Sequence, residues 1–126
     1  MKITSQVYVK SSMEAVDVYC RAFNLEKGLS FINDEQNEYQ HCELMRSGEL
    51  FMAVSEAPKE CDTSQKTVWQ TMAFNVYDMG SVEAVRQAFD ILKEGGTVID
   101  PPGSCAWNAY CSNLIDRFGV FWWIAI

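Results

Sequence analysis

The chain has 126 residues, 48% hydrophobic and 13% aromatic, with 10 basic and 17 acidic side chains and a net charge of −7. That is one domain's worth of globular chain, able to bury roughly two-thirds of its unfolded surface and too apolar for disorder. The negative charge repels phosphate backbones, which sets nucleic acid aside as a partner, and no apolar run approaches the ~20 residues that cross a bilayer.

The opening residues, Met1 to Gln6, are too polar for an export signal, and Ile3–Val9 reads as a first strand. Ser11-Ser12-Met13-Glu14 has the form of a capping box. The helix after it carries Val16, Tyr19, Cys20 and Phe23 at i, i+3, i+4, i+7 spacing, one apolar stripe, and Gly28 punctuates its end. Short strands follow at Leu29–Ile32, Tyr39–Met45 and Leu50–Val54, the last two joined through Ser47-Gly48. A polar stretch containing Pro58 then reads as a linker.

After the linker the order repeats. A strand at Thr67–Tyr77 leads to Ser81 as N-cap of a helix with Val82, Val85, Phe89 and Leu92 on its stripe, ended by Gly95-Gly96. Strands at Val98–Ile99, Ala106–Leu114 and Val120–Ala125 complete it, with Asp116–Gly119 as the last hairpin turn. The expected fold is therefore α+β: one domain over residues 1–126, made of two tandem βαβββ modules at about 1–56 and 67–126 with a linker at about 57–66. Leu50–Val54 and Val120–Ala125 are apolar almost throughout, so each is expected to meet helices on one face and something dry on the other.

The five cysteines, Cys20, Cys42, Cys61, Cys105 and Cys111, are odd in number and show no C-x-x-C spacing, which reads as free thiols in a reducing cytoplasm. Placed on one strand, Cys105 and Cys111 stand ~20 Å apart, too far for a disulfide. As nucleophiles both lack an evident base. His41, the sole histidine, and Glu43 are two apart in a strand and share a face. They form the candidate metal or acid–base pair, against a plainer reading as a local His–Glu contact. Asp116-Arg117 precedes a tight glycine-containing turn and reads as structural. Trp69, Trp107, Tyr110, Trp122 and Trp123 are the aromatic set from which either a core or a small-molecule pocket is built. Trp122 and Trp123 point to opposite faces of their strand.

Three patches carry a family resemblance: Ala15-Val16-Asp17-Val18-Tyr19-Cys20-Arg21-Ala22-Phe23; His41-Cys42-Glu43-Leu44 followed by Ser47-Gly48 and Leu50-Phe51-Met52; and Leu92-Lys93-Glu94-Gly95-Gly96 leading to Asp116-Arg117-Phe118-Gly119-Val120 and Trp122. In order and spacing they resemble the PhnB-like branch of the vicinal oxygen chelate superfamily, which includes glyoxalase I, extradiol dioxygenases and bleomycin-resistance proteins. The resemblance implies curved sheets enclosing a cleft, a homodimer, and, in the enzymes, one divalent metal stabilising adjacent substrate oxygens. This chain departs from that pattern. On the final strand, where glyoxalase-like members carry a glutamate, it has Trp123. Near the first-strand position that is often histidine it has Thr4, with Gln6 close by. On the fifth strand it has Thr71 beside Gln70, and Phe51-Met52-Ala53-Val54 offers no ligand. An indole does not coordinate a hard cation, and one or two neutral oxygens hold a divalent ion weakly.

The resulting expectation is a cytoplasmic homodimer that binds a small organic molecule without a cofactor, through Gln6, Trp69, Trp107, Tyr110 and Trp123. The alternative is a lyase, isomerase or dioxygenase dependent on one divalent metal ion, with His41 and Glu43 as the candidate ligands. A methyltransferase reading, inherited from the label of that branch, has no Gly-rich nucleotide-binding loop to rest on.

Overall fold

The structure is a computed structural model and describes residues 1–60 and 72–126. Cys61, Trp69, Gln70, Thr71 and the first part of the strand expected at Thr67–Tyr77 lie outside the described residues. The chain divides into two compact units, Met1–Thr63 and Ser64–Ile126.

In the first unit β1 (Gln6–Val9), α1 (Ser12–Phe23), β2 (Glu26–Asn33), β3 (Glu38–Arg46) and β4 (Glu49–Glu56) form a βαβββ order. The sheet runs β1-β4-β3-β2, with β1 parallel to β4 and the other pairs antiparallel. The parallel pair is possible because a helix and a hairpin supply the long crossover between its strands. The helix lies on β1, β3 and β4 and buries Val16, Tyr19, Ala22 and Phe23 against Val7, Val9, Cys42, Leu44, Met52 and Val54. Each Val, Leu, Met or Phe side chain of this set contributes about 1.5–3 kcal/mol by leaving water.

Both ends of α1 differ from the sequence expectation. Ser11 is the N-cap but sits in the left-handed region at φ 61°, and its hydroxyl makes no cap hydrogen bond. The orphan N–H groups of Ser11 and Ser12 instead donate to the two carboxylate oxygens of Glu56, at 3.0 and 2.9 Å, from the end of β4. The Ser12 hydroxyl accepts from Tyr39 N–H at 2.9 Å. A carboxylate distant in sequence thus performs the task assigned to the capping box, and it complements the positive end of the helix. The helix stops at Asn24, left-handed at φ 54°, rather than at Gly28. Gly28 lies inside β2, where an added Cβ would stand 2.9 Å from Met45 Cγ.

The second unit repeats the plan: β5 (Phe74–Val76), α2 (Val82–Leu92), β6 (Thr97–Cys105), β7 (Asn108–Ile115) and β8 (Phe121–Ala125), in the sheet order β5-β8-β7-β6. Strand β5 is parallel to β8, and the other neighbours are antiparallel. Ser81 caps α2 as expected, its hydroxyl accepting from Ala84 N–H at 3.1 Å. The stripe that packs is Val85, Ala88 and Leu92; Val82, expected on it, is exposed. After the helix, Gly96 passes so close to the next hairpin that a Cβ would lie 2.3 Å from the Ile115 carbonyl oxygen.

The largest departure is the β6–β7 hairpin. The strand expected at Ala106–Leu114 is interrupted by a turn at Ala106-Trp107, and β6 continues from Thr97 through Pro101-Pro102-Gly103 to Cys105. The two prolines are tolerated because β6 is an edge strand whose register slips repeatedly against β7. Cys105 and Cys111 therefore stand on adjacent strands, not ~20 Å apart along one strand.

Candidate functional site

In each unit one sheet face carries the helix and the other is free of it. On β1, Val7 and Val9 are buried toward the helix, while Gln6 and Tyr8 point the opposite way and are exposed. The β1–β4–β3 register continues that free face: Gln6 pairs with Ala53, which pairs with Glu43, and Tyr8 pairs with Ser55. Gln6 Nε2 donates to Ser55 Oγ at 2.8 Å. His41, paired with Phe31 of β2, places Nε2 3.7 Å from Glu43 Oε1, both side chains about 30% exposed. Cys42, between them, faces the helix and is fully buried.

The free face of the first unit therefore carries an amide, a hydroxyl, a phenol and one His–Glu pair, with Phe31 of β2 beside His41. Gln6 and Glu43 flank Ala53, two strand spacings or about 10 Å apart along the backbone. Thr4 precedes β1 and is exposed. Buried Ala53 and Ser55 explain the apolar look of β4, since small side chains here sit beneath longer neighbours on β1 and β3.

In the second unit Trp122 and Trp123 do point to opposite faces. Trp122, paired with Phe74 and Leu114, is buried on the helix side. Trp123, paired with Asn75 and Asn113, is half-buried on the free face, and Asn113 Nδ2 donates to Asp100 Oδ2 at 3.0 Å. Tyr110 stands on the other side from Trp123: its hydroxyl accepts from Arg86 of α2 at 3.1 and 3.3 Å. Trp107 occupies the β6–β7 turn and is 77% exposed. Of the residues assigned from sequence to ligand binding, Gln6 is on the first unit's free face; within the second unit Trp123 is on the free face, Tyr110 on the helix side and Trp107 in the β6–β7 turn.

The Asp116–Gly119 turn is structural, as its sequence indicates. Asp116 is only 2% exposed; its Oδ1 accepts from Phe118 and Val120 N–H at 2.9 and 3.0 Å, and its Oδ2 from the Trp122 indole at 2.8 Å. Gly119 completes the turn at φ 88°.

Sequence reasoning did not single out Ser55 or Tyr8, because their place beside Gln6 depends on the parallel β1–β4 pairing across more than forty residues. No local pattern announces it. Among the described residues, no three His, Cys, Asp or Glu side chains converge as a metal would need.

Two βαβββ units, each a helix on a sheet that pairs its first and last strands in parallel, define a glyoxalase-like fold. The chain shares this fold with solved PhnB-like structures. It is similar to the PhnB protein from Bacillus cereus, with 20% identity over 99% of this chain and 98% of that one and a TM-score of 0.81. A Pseudomonas aeruginosa protein matches at 19% identity, 99% and 96% coverage and a TM-score of 0.78. The fosfomycin resistance protein FosX from Listeria monocytogenes, solved with Mn(II) and sulfate, matches at 14% identity, 99% and 88% coverage and a TM-score of 0.64. No family profile matches the sequence, and no curated protein matches it. No helix among the described residues is long and apolar enough to cross a membrane.

Proposed function

We propose that this protein is a small-molecule-binding member of the superfamily that works without a resident metal. The observation that carries the reading is Trp123. It projects from the last strand onto the free face, next to the buried Trp122 that anchors the Asp116 turn. An indole there supplies a flat apolar wall and no lone pair for a hard cation. The first unit offers one imidazole and one carboxylate that contact each other, plus a glutamine already bonded to a serine. Divalent ions of this chemistry ask for three or four hard donors, so the described residues do not fit one. A ligand suited to these faces is an uncharged or cationic organic molecule with an aromatic portion, since the chain is net negative.

The second reading is a metal-dependent lyase, isomerase or dioxygenase. The His41–Glu43 pair favours it, being a nitrogen and an oxygen donor on one open face, as does the Mn(II) bound by FosX. Elemental analysis of untagged protein prepared without chelators separates the two. Near-stoichiometric zinc, nickel, manganese or iron overturns the binding-module reading. Metal-free protein whose tryptophan emission is quenched by a small aromatic probe, with the quenching lost in Trp123→Ala, supports it.

The same proposal includes a cytoplasmic homodimer. Edge strand β2 exposes Leu29, Phe31 and Ile32, an apolar run costly to leave in water. Sedimentation at micromolar concentration tests the assembly, and a single 14.3 kDa species rules it out.

A further inference from the structure

Gly103 on β6 pairs with Cys111 on β7, and Cys105 pairs with Asn108. Cys105 is two residues beyond Gly103, one diagonal step from Cys111 across the hairpin, and the register shift between Gly103 and Cys105 leaves the two thiols in hydrogen-bonding contact. Gly103 carries no side chain, and a Cβ placed there would meet nothing nearer than the Pro101 carbonyl oxygen at 3.9 Å. The place opposite Cys111 on β6 therefore holds no side chain. The register slips between Gly103 and Cys105, which tightens the hairpin toward its turn.

The two thiols differ in setting. Cys105 is half-exposed beside the turn, whereas Cys111 is buried against Ala125 of β8. The Cys111 thiol is hydrogen-bonded to Cys105, and the Trp123 indole is bonded to Cys111 in turn. Despite a desolvation that opposes it, the Trp107 N–H, the Cys111 thiol and the Asn108 N–H together hold the Cys105 thiol below its ordinary range. Burial first, then the bond to Cys105, pushes Cys111 up. One sulfur is thus an accessible thiolate former and its neighbour a protonated partner, the division of labour found in reactive dithiols.

We propose that Cys105 and Cys111 form a reversible redox pair, a modification site at which hydroperoxide converts two thiols into a cross-strand disulfide. The Cys105 thiolate attacks the peroxide: an S–O bond forms, the O–O bond breaks, sulfur gives up two electrons, and water leaves after protonation. Cys111 then attacks the sulfenic sulfur. The S–S bond forms, the S–O bond breaks, and the hydroxide leaves as water with the proton Cys111 carried. A thiol reductant reverses both steps. Because Cys111 bonds to Trp123, the oxidation state of the pair is coupled to the residue on which the proposed ligand wall depends; the redox chemistry itself does not rest on that reading.

Both cysteines lie in one tryptic fragment, residues 94–117, so the test is direct. Reduced full-length protein is treated with stoichiometric hydrogen peroxide, blocked with N-ethylmaleimide and digested without reductant. The expected result is a 94–117 fragment that has lost both labels and two hydrogens, restored to double labelling by prior dithiothreitol. Cys111→Ala is expected to stop at a Cys105 sulfenic acid captured by dimedone, and Cys105→Ser to leave Cys111 labelled. Full double labelling of the wild-type fragment after peroxide overturns the proposal. So does oxidation that links Cys105 to a second molecule instead of to Cys111. The wild-type measurement decides even if a variant folds poorly.

Discussion

The Trp122 indole N–H donates to Asp116 Oδ2 across 2.8 Å, both residues being buried. One carboxylate therefore closes the last turn through two backbone N–H groups and also pins the largest side chain of the second core. Asp116→Ala strands three buried donors and is expected to cost about 3–5 kcal/mol. Trp122→Phe removes one donor and is expected to cost about 2–3 kcal/mol. Urea unfolding of both variants and the double variant should give a coupling energy of about 1.5–3 kcal/mol for the pair. Additive costs would show that the bond carries no coupling.

The helix α1 makes a prediction with two signs. Glu56→Gln keeps the side-chain shape but weakens the acceptor for Ser11 and Ser12 N–H, and is expected to cost about 1 kcal/mol. Ser11→Gly relieves a left-handed serine whose hydroxyl caps nothing. It is expected to be neutral or stabilising by up to about 0.5–1 kcal/mol. Chemical denaturation decides both. A large loss in Ser11→Gly would restore the capping-box reading.

Two glycines should respond differently to the same added methyl group. At Gly96 the new carbon meets the Ile115 carbonyl at 2.3 Å, a backbone atom held in the sheet. Gly96→Ala is expected to cost about 3 kcal/mol or more. At Gly28 the obstacle is the flexible end of Met45 at 2.9 Å, so Gly28→Ala is expected to cost no more than about 1–1.5 kcal/mol. Equal losses in thermal melts would show that backbone and side-chain obstacles are not distinguished here.

Thiol alkylation should depend on pH in a residue-specific order. Burial pushes Cys20 and Cys42 up, while the Trp107 and Asn108 N–H groups and Cys111 hold Cys105 down against desolvation. A lowered value means the reactive thiolate persists to lower pH. Modification of Cys105, followed by mass spectrometry, is therefore expected to have its midpoint below those of Cys20 and Cys42. Coincident midpoints would remove the electrostatic asymmetry.

The stripe of α1, the Ser81 cap, the opposed faces of Trp122 and Trp123 and the duplicated strand order were all legible in the chain, because periodicities of two and 3.6 are written locally. The cap by Glu56, the Gln6–Ser55 bond and the diagonal approach of Cys105 to Cys111 were not. Each joins residues brought together by strand pairing, and in β6 a proline pair masked a strand that only an edge position permits.

By itself, then, the sequence determined two helix-on-sheet modules, the structural turn at Asp116 and the indole at position 123, since burial and turn chemistry act on neighbours along the chain. Only the tertiary structure decided which polar groups meet: that Tyr110 turns to Arg86 and away from Trp123, that His41 meets Glu43 beside a Gln6–Ser55 pair, and that two cysteines are diagonal neighbours across a hairpin. Register sets those meetings, and a slip of one residue reverses every face.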